Sequence, residues 1–293
     1  MLRNAGADDR AGGCRGTRGR RTDPARAGGS VGIMTRRAVV TGASSGIGEA
    51  VVRALRASGW DVVGVARRAE RLAALDAAVG SASFAADLTR EEDVAALASH
   101  LAGTGAVHAL VHVAGGARGA DRIEDGDPDD WRWMFEVNVL SAQLVTAALL
   151  PLLRRAAAVD GHADTLYVTS TAAQTAYPGG AGYNAAKAGE SMVARALRLE
   201  LNGEPIRVTE VAPGMVHTPE FTLNRLGGDR LGAERVYEGV DKPLLAEDVA
   251  GVIAYALNAP GHVNLDLVTM RPVAQSAQHL LARGPLRPRL PEE

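Results

Sequence analysis

Residues 38–58 restrict the choice of fold more than any other stretch of the chain. Ala38-Val-Val-Thr41 is a short apolar, β-branched run, the composition of a buried strand. Thr41–Gly48, T-G-A-S-S-G-I-G, follows directly, and Ala50, Val51, Ala54 and Leu55 then recur at helical spacing over Glu49–Ser58. A strand, a glycine turn and a helix in immediate succession open a βαβ unit. In such a turn Gly42 and Gly46 can take positive φ and let the backbone approach a pyrophosphate. Gly48 lets the helix pack close to the sheet, and the helix N-terminus turns free N–H groups towards the phosphates. Ser44, Ser45 and Ile47 are counted with these glycines as cofactor contacts. No Gly-Lys-Ser/Thr follows, so this is not a P-loop.

The alternation continues to the end of the chain. Strands are expected at Asp61–Ala66, Ser83–Ala86, Val107–Val113, Thr165–Ser170, Arg207–Val211 and Leu265–Met270. Helices are expected at Glu70–Val79, Arg90–Leu101 with Thr89 as N-cap, about Trp131–Ala156, Tyr183 to about Leu201, and Ala246–Leu257. Thr218–Asp241 is a variable segment. The strands read as continuous apolar runs, the pattern of a parallel sheet buried on both faces. The expected fold is one doubly wound α/β domain of Rossmann type over residues 34–293. Ligands of such sheets bind beyond the carboxyl ends of the strands. There stand Gly42–Gly48, Arg67, Asp87, Ala114-Gly115, Ser170 and Pro213-Gly214.

Composition excludes several classes. Among 293 residues, 46% are hydrophobic and 23% charged, and the net charge is −2, so nothing points to nucleic acid or a membrane surface. One cysteine, Cys14, excludes a disulfide framework or a cysteine-rich metal site and suits a cytoplasmic protein. The histidines show no ligand spacing, so no metal is expected. The longest apolar stretch, Val139–Leu153, is interrupted by Ser141, Gln143, Thr146 and Pro151, short of a membrane span. Residues 1–33 are rich in Arg and Gly and poor in large apolar residues. They are expected to be disordered and dispensable, with Met34, just before the first strand, as the true start.

The end of the second strand selects the cofactor. An acid there would bind a ribose 2′-hydroxyl; here Ala66 is followed by Arg67 and Arg68, and a guanidinium pairs bidentately with phosphate. NADP(H) is therefore expected over NAD(H), with Asp87 and Leu88 flanking the adenine. Tyr183 and Lys187 in A-G-Y-N-A-A-K-A-G lie four residues apart, on one helical face. At roughly 4 Å and an effective dielectric of about 20 their coupling is on the order of 4 kcal/mol, enough to pull a phenol from about 10 towards 7 before desolvation opposes it. Taken alone, Y-x-x-x-K also fits a surface helix; the strand-end residues around it favour a proton donor and acceptor.

Together T-G-A-S-S-G-I-G, Asn138, Ser170, Tyr183 with Lys187, and Pro213-Gly214 resemble the short-chain dehydrogenase/reductase family, over about Thr35 to Gln278. The resemblance implies that Tyr183 is the general acid/base, that Ser170 orients the reacting carbonyl or hydroxyl, and that Lys187 holds the nicotinamide ribose. Asn138 would position a relay water. Val113, Ala114 and Gly115 would border the cofactor, and Pro213, Gly214, Val216 and Thr218 would orient the nicotinamide. One departure is His112-Val113-Ala114-Gly115 where the family commonly has N-N-A-G; a buried His112 held by backbone groups is expected. Thr218–Phe221, Arg225, Ala259–Asn264 (A-P-G-H-V-N) and Met270–Gln275 (M-R-P-V-A-Q) look like the branch acting on 3-hydroxy acids such as serine. Arg225, with Ser170, is the candidate for holding substrate, although a solvated helix arginine is the competing reading. His217 lies near the expected pocket, and Gln275 and His279 are candidates to close a neighbouring subunit's site. A homotetramer is implied, through Val139, Leu140, Ala147, Leu149, Met192, Ala194 and Leu197 on the two long helices. The alternatives are a tailoring ketoreductase for polyketide-like or acyl-thioester substrates and a non-catalytic NADP sensor.

Overall fold

A computed structural model describes residues 35–289; the expectations for the Arg/Gly-rich tail, Cys14 and a start at Met34 fall outside them. The apolar runs form β1 (Arg37–Thr41), β2 (Asp61–Ala66), β3 (Ala82–Ala85), β4 (Ala109–His112), β5 (Ala163–Val168), β6 (Ile206–Pro213) and, after a short pair β7 (Val216–His217) and β8 (Leu244–Leu245), β9 (Leu267–Met270). β1 to β6 and β9 make one seven-stranded sheet in the order β3-β2-β1-β4-β5-β6-β9, and every pairing in it is parallel. Parallel neighbours need crossovers on both faces. Here these are α1 (Gly46–Ala57), α2 (Ala69–Val79), α3 (Glu91–Thr104), α4 (Pro128–Phe135) running through a π turn into α5 (Ser141–Asp160), α6 (Ala181–Glu200) and, beyond α7 (Phe221–Arg225) and α8 (Arg230–Tyr237), α9 (Ala246–Asn258). A small antiparallel pair, β10 (Gln275–Ala277) and β11 (Leu280–Leu281), ends the fold.

The sheet separates two apolar layers. On one face Val51, Leu55, Val249 and Ile253 from α1 and α9 meet Val40 and Val62; on the other Leu97, Leu149, Leu153 and Leu197 from α3, α5 and α6 meet Val39, Leu110 and Tyr167. Every residue of β5 and β6 is buried, including the polar Asp164, Thr165, Arg207, Thr209 and Glu210, as expected of central strands covered on both faces. Strand order reverses between β1 and β4, and such a switch point opens a crevice at the carboxyl ends.

Several sequence expectations change. Thr89 does not cap α3. Its N–H and hydroxyl both donate to Asp87 Oδ1 (3.1 and 2.8 Å), and Arg90 takes the cap position without a side-chain bond. A local turn at the strand end has captured the hydroxyl. The long helix starts at Pro128, with Asp127 accepting from the Asp129 N–H (2.8 Å), and is interrupted by the π turn Glu136–Leu140. There Asn138 Nδ2 donates to the Met134 carbonyl (2.6 Å), the oxygen that residue 138's own N–H would use in an α-helix. Counted as one helix, Pro128–Asp160 has the length and composition of a membrane span, but half of its most apolar 18-residue window is buried within the fold, as in a core helix, in keeping with the reading of residues 139–153. Of the side chains assigned to subunit contacts, Val139, Leu149, Ala194 and Leu197 are core residues, whereas Leu140, Ala147 and Met192 are exposed. A-P-G-H-V-N lies at the amino end of β6, away from the crevice. Arg207 there pairs with Asp164 (2.6 Å) and donates to the carbonyls of Ala259, Pro260 and Val263.

Candidate active site

The glycine turn is built as its residue types require. Gly42 and Gly46 have φ of +68° and +55°. A Cβ on Gly42 would sit 2.8 Å from the Ala114 nitrogen, and one on Gly48 would run into the Gly42 carbonyl. The turn is therefore pressed against the end of β4. Thr41 fixes that contact, its hydroxyl accepting from the Val113 and Ala114 N–H groups (both 3.0 Å). This hydroxyl braces the strand end where an N-N-A-G sequence is absent.

Ser45, the α1 N-cap residue, makes no side-chain cap bond. Its hydroxyl donates to Glu220 Oε2 (2.9 Å) and accepts from Arg68 Nη2 (2.8 Å). Arg68 also donates to Ser44 Oγ (3.0 and 2.8 Å) and to both Glu220 carboxylate oxygens (2.9 Å each), and Arg71 pairs with the same carboxylate. Two guanidiniums and the Ser45 hydroxyl thus surround one carboxylate, and Ser44 steadies Arg68 from the other side. Burial pushes the Glu220 carboxyl up, but bonds from Arg71, Arg68 and Ser45 outweigh this and hold it below the usual range. Arg67 is exposed on the wall beside this group, so Arg68 and not Arg67 is the anchored guanidinium. At the end of β3 the Asp87 carboxyl is likewise pulled below its usual value: burial raises it, and the two Thr89 bonds overcome that.

The third component is on α6. Tyr183 and Lys187 share the face turned to the crevice and are 9% and 5% exposed. Lys187 Nζ donates to the Val168 carbonyl (3.0 Å) and to Glu190 Oε2 (2.7 Å). Burial raises the Tyr183 phenol above its ordinary value; Lys187 and the Ser170 hydroxyl pull the other way without reversing it, and Glu190 adds to the rise. The expected drop towards neutrality is therefore not present in this structure. The desolvation of a buried phenol exceeds an attraction that Lys187 shares with Glu190. Ser170 Oγ accepts from the Ala172 N–H (3.1 Å), makes a long contact to the Pro213 carbonyl (3.4 Å) and lies beside the Tyr183 hydroxyl, so it can turn towards a ligand there. Asn138 is not on the crevice wall. It lies beneath it, clasping the Gly116 N–H (3.1 Å) and carbonyl (2.9 Å), so it shapes the floor.

One cleft of about 880 Å³ joins all three components. It runs from Ser44, Arg68 and Asp87 past Val113, Ala114 and Gly115 to Ser170, Tyr183 and Lys187, and its other wall carries Pro213, Gly214, Val216 and Thr218. The family profile described as short chain dehydrogenase matches residues 36–225. The chain belongs to the short-chain dehydrogenase family. It is 48% identical over 259 residues to an uncharacterized oxidoreductase of Mycobacterium tuberculosis, covering 88% of this chain and 99% of that one. It is 37% identical over 241 residues to the serine 3-dehydrogenase of Rhizobium radiobacter, covering 81% and 94%. The solved closed form of serine dehydrogenase complexed with NADP+ superposes with a TM-score of 0.78 at 31% identity, covering 84% of this chain and 99% of that one.

In this short-chain dehydrogenase the remaining sequence candidates divide. Arg225 is at the cleft but is not a solvated helix arginine. It donates to the Gly119 carbonyl (3.1 Å), Tyr177 Oη (2.8 Å) and the Gly179 carbonyl (2.8 Å), tying α7 to the loops before α4 and α6. Gln275 serves its own chain, accepting from the Met215 N–H (2.9 Å). His217 packs edge-on against Tyr237, and His279 is exposed; neither lines the cleft. His112 is buried as expected, but its partner is the Thr146 hydroxyl (3.0 Å) rather than backbone, and it stacks on Tyr167. Burial pushes it down to about 3, so the dehydrogenase carries it neutral. Sequence reasoning missed Glu220 and Glu190 as partners of the site arginine and lysine, and Tyr177, Phe221 and Gln278 as cleft residues. Only Glu190 had a local signal, lying three residues beyond Lys187 on one helix.

Proposed function

We propose that this protein is an NADP(H)-dependent oxidoreductase that interconverts a secondary alcohol and a carbonyl, with a small 3-hydroxy acid as substrate. The observation that carries the reading is the joining of the Tyr183, Lys187 and Ser170 group to the Arg68 anion cradle in one cleft. The donor set fits a nicotinamide dinucleotide phosphate. Glu220 already stands in for an anion between Arg68, Arg71 and Ser45, and the Gly42 and Gly48 turn leaves no room for side chains beside the helix start. In this reading Arg68, supported by Ser44 and with Arg67 beside it, takes the 2′-phosphate, and Glu220 is the carboxylate that gives way.

When bound, the cofactor supplies or accepts the hydride. The chain supplies orientation and the proton. In reduction Tyr183 Oη gives its proton to the carbonyl oxygen, and the raised pKa keeps that proton available at neutral pH. The Ser170 hydroxyl, only loosely held, donates to the same oxygen as negative charge develops. Lys187 spends two N–H groups on protein oxygens and keeps one for a ribose hydroxyl. Arg225 uses three of its five N–H groups in its clamp and keeps two for a substrate carboxylate, next to the Tyr183 ring. The serine 3-dehydrogenase among the relatives supports an acid of that size.

The proposed assembly is a homotetramer, supported by the exposed Leu140 and Met192, with Phe135 and Leu199, along the helices that flank the cleft. The test of function is a panel of small 3-hydroxy acids, bulky ketones and acyl thioesters, followed by NADPH absorbance. Faster turnover of the free acids is expected. Turnover confined to bulky ketones or thioesters would favour the ketoreductase alternative, and NADPH binding without turnover of any compound would favour a sensor.

A further inference from the structure

Glu190 stands one turn beyond Lys187 on α6 with no exposed surface. Its Oε2 accepts from Lys187 Nζ at 2.7 Å, and its Oε1 has no hydrogen-bond partner. An apolar side chain at this depth would serve packing better, because a buried carboxylate with an unpaired oxygen is costly. What Glu190 adds is a charge beside the one lysine that faces the cleft from α6. Lys187 therefore has two claimants, Tyr183 a turn before it and Glu190 a turn after it.

We propose that Glu190 is a positioning residue: it sets how much of the Lys187 charge reaches the Tyr183 phenol, and so the pH at which Tyr183 parts with its proton. This rests on the reading of Tyr183 as the proton carrier. The groups around Glu190 leave it in that role. On its own helix are Lys187, Tyr183 and Arg195, and from β6 comes Glu210, held by Ser191 (2.6 Å) and Arg195 (3.2 Å). From β5 comes Tyr167, which burial pushes up to about 12, and behind it the neutral His112 of β4 stacks on its ring at 4.4 Å. Burial, with the like charge of Glu210, moves the Glu190 carboxyl up to about 7 against the pull of Lys187. Below that pH Glu190 holds a proton and the undivided Lys187 charge acidifies the phenol. Above it the carboxylate offsets Lys187 and raises the proton affinity of Tyr183, whose phenol is protonated on both sides of that pH.

The test starts from Tyr183→Phe, whose loss of turnover establishes the proton carrier independently of Glu190; turnover in that variant would refute the functional reading, not this one. In Glu190→Gln the tyrosinate absorbance of Tyr183, taken as the difference from the corresponding Tyr183→Phe protein without cofactor, is expected to rise at a pH about one unit lower than in the parent. The pH profile of alcohol oxidation should move by a similar amount in the same direction. Glu190→Asp, which keeps the charge, should restore both to within about 0.3 of a unit, a small fraction of the full coupling. An unmoved or alkaline-shifted Tyr183 in a folded Glu190→Gln protein overturns the proposal. The unmodified protein gives a second arm that needs no folded Glu190 variant. Carbon-13 NMR should show the Tyr183 ring signal, assigned by its loss in Tyr183→Phe, inflecting together with a glutamate carboxyl near neutral pH. A ring signal blind to that carboxyl overturns the proposal equally.

Discussion

Replacing Glu220 with glutamine is expected to tighten NADPH binding and leave NADH binding nearly unchanged. In the folded chain the Glu220 carboxylate spans Arg68 and Arg71, with the Ser45 hydroxyl as a third donor. The side chains of Glu220, Arg68 and Arg71 are 25%, 41% and 52% exposed, so solvent screens both pairs. Pairs of this kind contribute about 0.2–1 kcal/mol each, and the two together about 1 kcal/mol. In the proposed reading a 2′-phosphate must displace that carboxylate to reach Arg68, whereas NADH carries no 2′-phosphate. Removing about 1 kcal/mol of competition corresponds to a roughly fivefold lower Kd for NADPH. Isothermal titration of parent and variant with both cofactors measures it. The gain should shrink with added salt, since the screening length is about 10 Å at 0.1 M. It should persist through neutral pH, because the carboxyl titrates below its ordinary range: the contact is present above that range and is lost as pH falls through it. Equal tightening of NADH and NADPH, or an unchanged NADPH Kd, would refute a shared cradle.

Other expectations follow from single contacts. Tyr183→Phe should lower turnover by about a hundredfold to ten-thousandfold, the span of general acid–base catalysis, while NADPH titration gives a Kd close to the parent's. Arg68→Ala removes the guanidinium that Ser44 and Ser45 orient, and should weaken NADPH by about tenfold or more with little effect on NADH, read by the same titration. Gly42→Ala puts a methyl 2.8 Å from the Ala114 nitrogen at a φ of +68°, and should cost about 1–3 kcal/mol of stability, seen as a lower Tm. Arg207→Ala leaves Asp164 buried with Arg36 as its remaining guanidinium and takes a donor from the carbonyls of Leu257, Ala259, Pro260 and Val263. A loss of about 3–5 kcal/mol is expected in denaturant unfolding, with cofactor affinity unchanged, since Arg207 lies at the far end of β6.

Short-range geometry governs the features that are legible before the chain is folded. Apolar runs and helical spacing marked all seven strands of the parallel sheet and its main crossovers, because side-chain period depends only on the local backbone. The positive φ of Gly42 and Gly46 and the shared face of Tyr183 and Lys187 were legible for the same reason. The tertiary structure alone decided who pairs with whom across the fold. It brought Glu220 to Arg68 over 152 residues, gave His112 its Thr146 partner, set Thr41 as the brace of β4 and turned Arg225 into a clamp. It also reversed the direction of the Tyr183 shift. Spacing supplied one attraction, from Lys187, but a proton affinity sums every charge and all the water removed around the group. Those quantities exist only once distant segments have packed together.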